Sequence, residues 1–280
     1  MTLIDFILNL AGLLLWLNWR SLKFDPLVGA KPASLVGTLR RTEPFRWKTW
    51  HFLAAIAVLL LIRSLFYWQI GSAVNWTPKL PLGAIAISFR SDFFGRMVLF
   101  SFLSFGLTLT VLYLWLLLLS LVNDRVTDAT SLQKLVQLHL GRIDRWPRTF
   151  KLLLPLLVTG VLWFFLSLLL ARLQIIPPAV SVYHRLEQTV VVGLSAYLTW
   201  RYLIGALLGL YVLSNYIYLG SHTFWTFIGT TAKNLLLPLN WIPLRLGKVD
   251  FAPIVEIALV FLFAELAEHG LTVFYQRLPI

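Results

Sequence analysis

The 280-residue chain is 59% hydrophobic and only 13% charged, with a mean hydropathy of +0.79. So few polar residues cannot cover a water-soluble core of this size, which excludes a soluble globular domain and points to an integral membrane protein. The lack of cysteine removes disulfides, thiolate metal sites and a cysteine nucleophile; the net charge of +12, with no nucleic-acid-binding motif beside it, reads as basic loops facing a bilayer with anionic headgroups rather than nucleic acid.

About 20 apolar residues are needed to cross a hydrocarbon core. Six stretches meet or approach that length: 3–19, 50–70, 97–122, 150–173, 189–219 and 253–274. The predicted fold is therefore an all-α membrane protein of about six transmembrane helices. The first stretch carries Asp5, has no basic leader and no small-residue cleavage site, and reads as a first membrane helix with its N-terminus outside rather than as a cleaved signal. The second holds Arg63 seven residues from its outer end, close enough for the side chain to snorkel to the headgroups.

After the third stretch comes "SLQKLVQLHL", where Leu132, Leu135, Val136 and His139 share one helical face. That is the pattern of a short helix lying in the membrane surface. "GRIDRWP" follows at 141–147 and leads into the fourth stretch. The fifth stretch is too long for one perpendicular crossing and has Arg201 near its middle, so its first half is expected to be tilted, kinked or interfacial. It is followed by "HTFWTFIGTTAKNLLL", whose Phe224, Phe227, Ile228 and Leu235 form an apolar side. "GKVDFAP" at 247–253 then opens the sixth stretch, which carries Glu256 and Glu265.

Lys and Arg are divided unevenly between the loops. The three loops after the odd-numbered spans hold sixteen; the other loops and the C-terminal segment hold six. By the positive-inside rule the richer loops are cytoplasmic and both termini lie outside. Six such spans make three helical hairpins in one orientation, dividing the chain at 1–96, 97–188 and 189–280. The two corners, 106 residues apart, occupy the same place in hairpins two and three. Each reads Gly, basic, branched aliphatic, Asp, two residues, Pro. The first hairpin has a weaker version, "GTLRRTEPFRW", with Gly37, Arg40, Arg41, Glu43 and Pro44.

The corner has the chemistry of a helix start beside a membrane. The first N–H groups of a helix have no internal partner, and lipid supplies none. Asp144 and Asp250 are expected to cap those groups, with Pro147 and Pro253 in the first turn, Gly141 and Gly247 allowing the bend before them, and Val249 stapled to Ile254. A ligand-binding role for the corner is the alternative reading.

The stretch "LLLPLNWIPLRLGKVDFAPIVEIALVFLFAEL" resembles the signature of YggT/YlmG proteins, small bacterial membrane proteins with chloroplast relatives. The matching positions are Pro238, Pro243, Arg245, Gly247, Asp250, Phe251 and Pro253. The resemblance is strong over 202–274, fair over 113–170 and faint in the N-terminal hairpin. This chain departs from the family in its length, with an extra hairpin, and in having Arg145–Trp146 where the third copy has Phe251–Ala252. The resemblance implies a non-enzymatic protein of the bacterial inner membrane, linked to osmotic tolerance, cell division or the assembly of membrane complexes, with a membrane-protein partner or a second copy of itself.

No catalytic, cofactor or metal site is expected from the motifs. There is no phosphate loop, HExxH or G-x-S-x-G elbow. In "AELAEHG", Glu265, Glu268 and His269 share a face but match neither the inverted zinc motif nor a di-iron one, and no two of the five histidines suit a membrane haem. The charges inside the spans, Arg201, Glu256 and Glu265, are the strongest functional hint, because such groups are costly unless paired or hydrated. An Arg201–Glu265 pair is the structural reading, with Glu256 as second choice. A polar path for an ion or solute is the other, and would make the protein a small transporter or channel.

Overall fold

A computed structural model describes residues 3–24, 49–74, 76–124, 131–179, 181–217, 223–239, 245–246 and 249–277. The corner residues Pro243 and Gly247, the segment holding Gly37 to Pro44, and the side chains of Pro238 and Asp250 lie outside that description. The described chain is mostly helical. Six stretches are long and apolar enough to cross a bilayer: Leu3–Arg20, Trp50–Gly71, Phe94–Val122, Arg148–Arg172, Val182–Asn215 and Ala252–Arg277. That is the signature of a multi-pass membrane protein. By packing, the chain divides into two compact units, 1–80 with 88–109, and 81–87 with 110–280. The cut passes through a small β-hairpin, β1 (Lys79–Pro81) and β2 (Ala86–Ser88), and through α3 (Phe94–Val122). It is a different division from the repeat-based one at 96 and 188.

The first unit contains α1 (Leu3–Phe24), α2 (Thr49–Val74) and the start of α3. The apolar residues of α2 are spread around its circumference, so hydrophobicity alone gives it no preferred outer face. What orders it is an apolar core of Ile56, Leu60 and Phe105, with Leu15, Trp16, Leu59 and Leu109 against it. Gly12 lets α1 approach α3: a Cβ there would stand 2.8 Å from the Phe105 ring.

The second unit holds the remaining helices, α4 (Ser131–Leu140), α5 (Arg148–Arg172), α6 (Val182–Ser195), α7 (Trp200–Tyr216), α8 (Thr223–Leu235) and α9 (Ala252–Arg277), with a short antiparallel pair β3 (Arg245–Leu246) and β4 (Val249–Asp250) before α9. Helix α5 packs most extensively on α6. Their approach depends on Gly193, whose added Cβ would meet the Leu156 backbone oxygen at 2.8 Å. Ser181 caps α6, accepting a bond from the His184 N–H at 3.1 Å.

The long fifth stretch is broken. A 3₁₀ turn over Ala196–Thr199 separates α6 from α7, without proline or glycine at the break. Ser195 lies beside it: its hydroxyl proton is shared between the Val192 carbonyl one turn back and the Leu82 carbonyl in the β1–β2 loop, which ties the turn to that loop. Two indole bonds tie α3 to the start of α7. Trp115 donates to the Thr199 carbonyl and Trp200 to the Leu114 carbonyl, both at 3.1 Å. Farther along α3, Leu119 packs against the cluster formed by Leu207 of α7 with Phe227 and Ile228 of α8.

Candidate functional site

Three polar clusters interrupt the apolar helices. The first lies at the end of α3, against α4 and α8. Helix α3 stops at Asn123–Asp124, and its last carbonyls would be orphans. Side-chain amides satisfy them: Asn234 donates to the Val122 carbonyl at 3.3 Å and Gln133 to the Asn123 carbonyl at 3.4 Å. Asn123 in turn donates to the Thr231 hydroxyl at 3.0 Å and accepts from Asn234 at 3.2 Å. Buried amide groups cost free energy unless bonded, so this network fixes α8 across the end of α3. Beside it, Asp124 accepts from Arg148 at 2.9 Å and Lys151 at 3.1 Å, tying the end of α3 to the start of α5. Burial pushes the Asp124 carboxyl up, but the bonds and charges of Lys151 and Arg148 outweigh that and hold it below its ordinary value. Ser120, Asn123, Asp124, Gln133, Gln137 and Asp144 line a polar cavity of about 90 Å³ here.

The repeated corner differs from its expected role. Gly141 takes a left-handed φ of 57°, which lets the chain turn directly out of α4. Asp144, however, does not cap α5. It sits in a 3₁₀ turn over Gly141–Arg145, and the N-cap position of α5 is Pro147, with no side-chain cap bond. The Asp144 carboxylate accepts instead from the Ser120 hydroxyl at 2.6 Å, reaching back to α3. The turn supplies its own geometry, so the aspartate is freed for a tertiary bond. At the third corner, Asp250 lies in β4 opposite Arg245, and the first helical carbonyl of α9 is that of Phe251, which accepts from Ile254 and Val255. The cap position is therefore Phe251, one residue later than expected, with Pro253 buried in the first turn.

The second cluster joins α7 to α9. Arg201 lies one residue inside α7 and donates to the Tyr202 hydroxyl at 2.8 Å, with its guanidinium 4.8 Å from the same ring. It forms an ion pair with Glu268 at 2.7 Å and a longer one with Glu265 at 3.8 Å. The expected partner is thus present, but Glu268, one turn farther along α9, is the tighter one. The Arg201 side chain is 14% exposed, Glu268 33% and Glu265 79%. Gly205 and Tyr202 grip Phe261 beside the pair; a Cβ on Gly205 would meet that ring at 2.8 Å. Glu256, half-buried near the start of α9, forms no ion pair with Arg201.

The third cluster is in the first unit. Asp5 and Asn9 sit one turn apart on α1, and Arg63 and Tyr67 one turn apart on α2. Arg63 donates to Asp5 at 2.9 Å, Asn9 at 2.7 Å and the Ser104 hydroxyl at 3.0 Å. Tyr67 donates to Asp5, and the guanidinium packs over the rings of Tyr67 and Phe100. The Arg63 side chain is fully enclosed and that of Asp5 is 6% exposed. Arg63 does not snorkel. An internal carboxylate on a neighbouring helix offers a charge-assisted bond that headgroups would supply only after the side chain crossed apolar surface. The sequence signal was the pairing of polar residues four apart on two apolar helices.

Among the described residues no group of three or more His, Asp or Glu side chains could hold a metal ion. No protein-family model, curated protein or solved structure matches the chain.

Proposed function

We propose that this is a non-catalytic, multi-pass membrane protein of the YggT type, built from parallel helical hairpins, that organises or assists the assembly of membrane complexes. The family resemblance rests on the quoted residues alone. On this reading the protein belongs to the bacterial inner membrane with both termini outside, and its basic corners meet anionic headgroups at the cytoplasmic surface. Division, osmotic tolerance or complex maturation would be its setting.

The observation that carries the reading is the internal repetition of α3–α4–corner–α5 by α7–α8–corner–α9. The end of α3 meets α4 through Gln133 and α8 through Thr231 and Asn234, and Trp115 and Trp200 tie α3 to the start of α7. That favours parallel copies. Transporters with sites at the midplane are often built from inverted repeats with helices broken there. The specific observation favouring the alternative, a small ion or solute transporter or channel, is the break at Ala196–Thr199 next to Arg201 and two carboxylates. Ion flux into proteoliposomes separates the two. The assembly reading expects flux no greater than in protein-free vesicles, together with recovery of a defined membrane complex on mild solubilisation. Flux that rises with protein content and falls on Arg201→Leu would replace it with the transporter reading.

A further inference from the structure

Helix α9 contributes almost nothing to the interior of its unit, and most of its surface faces outward. Lipid can cover Ile254, Leu262, Phe263, Leu266 and Phe274, but it offers no partner to a carboxylate or an imidazole. The exposed polar residues of α9 before its terminal Arg277 are Glu265, His269 and Gln276. With exposed Ala258 and Leu262 they fall at spacings of four, three, four and seven. That is the 3.5-residue repeat of a helix–helix seam, not a scatter around the helix.

Charge points the same way. Arg201 faces two carboxylates, so the α7–α9 cluster is one negative charge in excess, and the more exposed acid is Glu265, halfway along α9. His269 lies one turn farther on the same seam. It makes no bond to Glu265 in the structure, though the two are four residues apart.

We infer that the α9 seam is the contact between two copies of this chain, with Glu265 of each copy bonded to His269 of the other. Two copies inserted in the same direction are related by a two-fold axis along the membrane normal. Equal depths then meet across the seam, and each seam side chain inserts among residues of the facing helix that include the one a turn away. A two-fold contact is self-complementary: if Glu265 meets the second copy's His269, the reverse pair forms as well. One seam thus supplies the hydrogen-bond donor that the 3.8 Å ion pair with Arg201 leaves Glu265 without. A foreign partner would have to bring its own. Ala258 lets the helices close at one end, and Leu262 packs against its own copy. The inference shares with the reading above only that α9 crosses the bilayer, so a monomer would overturn it and leave the flux and complex-recovery results untouched.

The natural lack of cysteine makes the test direct. Leu262→Cys, on the seam, and Ala267→Cys, exposed on the opposite side, are oxidised in proteoliposomes at low protein density. Leu262→Cys is expected to give a covalent dimer and Ala267→Cys none. In nanodiscs the wild-type protein is expected as a dimer by native mass. Glu265→Leu and His269→Leu should each raise the dimer dissociation constant at least about tenfold. The exchange Glu265→His with His269→Glu should return it to within about threefold of wild type. A monomeric wild type, equal cross-linking at both positions, or an exchange variant that folds but stays as weak as the single changes would each overturn the inference.

Discussion

Arg63 and Arg201 both sit within apolar helices, and they are handled differently. Arg63 is enclosed by three helices, with one carboxylate, one amide, one hydroxyl and two aromatic rings around it. Its charge balances within the unit. Arg201 is shared between two carboxylates on one helix, and the second of them faces outward. The first arrangement is closed and reads as a lock that holds α1 against α2 and α3. The second is open, and its excess charge points to something beyond the chain. Depth in a span is therefore a poor guide to an arginine's role; the balance of charge around it is a better one.

The closed cluster predicts the largest effect and an asymmetry. Asp5→Ala strands Arg63, which cannot lose its proton, and should cost about 3–5 kcal/mol in detergent melting. Arg63→Leu leaves a carboxyl that can take up a proton, so it should cost clearly less. Equal losses would mean that the cluster is hydrated rather than sealed. In the open cluster, Glu268→Ala should cost about 1–3 kcal/mol and Glu265→Ala no more than about 1 kcal/mol in the monomer, following their exposure. A reversed order would show that Glu265 is the true partner of Arg201.

Smaller effects are expected at the end of α3. Asp144→Ala takes the acceptor from the buried Ser120 hydroxyl and should cost about 1–2 kcal/mol, whereas Asp144→Asn keeps an acceptor and should recover most of it. Ser120→Ala together with Asp144→Ala should add little to Asp144→Ala alone, since both act through one bond. Were Asp144 a helix cap after all, the two changes would be independent. The smallest effect is a pH dependence. The Asp124 carboxyl is held below its ordinary value, so its contribution is complete above that value, 3.8, and is lost as pH falls through the lower folded value. Above about pH 5 the melting temperature should be insensitive to this group. Below that it should fall, and Asp124→Asn should remove that part of the slope. An unchanged slope would show that Arg148 and Lys151 do not depend on this carboxylate.

The six apolar helices were legible in the sequence because a membrane crossing demands a length and a composition, both local. The surface-type helices α4 and α8 were legible for a similar reason, since one-sided periodicity needs no partner to be seen. An interruption of the fifth stretch was expected from its length, as a tilt, kink or interfacial start, but its place was not legible: the 3₁₀ turn lies beside a bond from Ser195 to Leu82, 113 residues away, which no local pattern announces. The same break left the register of α7 against α9 open, so that Glu265 was expected where Glu268 is closer. Asp144 shows the limit of a local motif. The spacing Asp-x-x-Pro fits a helix cap, yet the residue spends its bond on Ser120, 24 residues earlier. Arg63 was misread because its partner, 58 residues back, looked like a residue at the end of a span. Asp5 with Asn9, and Arg63 with Tyr67, held the clue: four-residue spacing of polar groups on apolar helices marks a face that needs another helix.

The contrast between a closed and an open arginine is tested most directly by two double-mutant cycles measured side by side by thermal unfolding in one detergent. One cycle pairs Asp5→Ala with Arg63→Leu, the other Glu268→Ala with Arg201→Leu. The account predicts that the first double variant is more stable than Asp5→Ala alone, with a coupling of about 3 kcal/mol or more, and that the second coupling is no more than half as large. Equal couplings, or additive losses at Asp5 and Arg63, would contradict it.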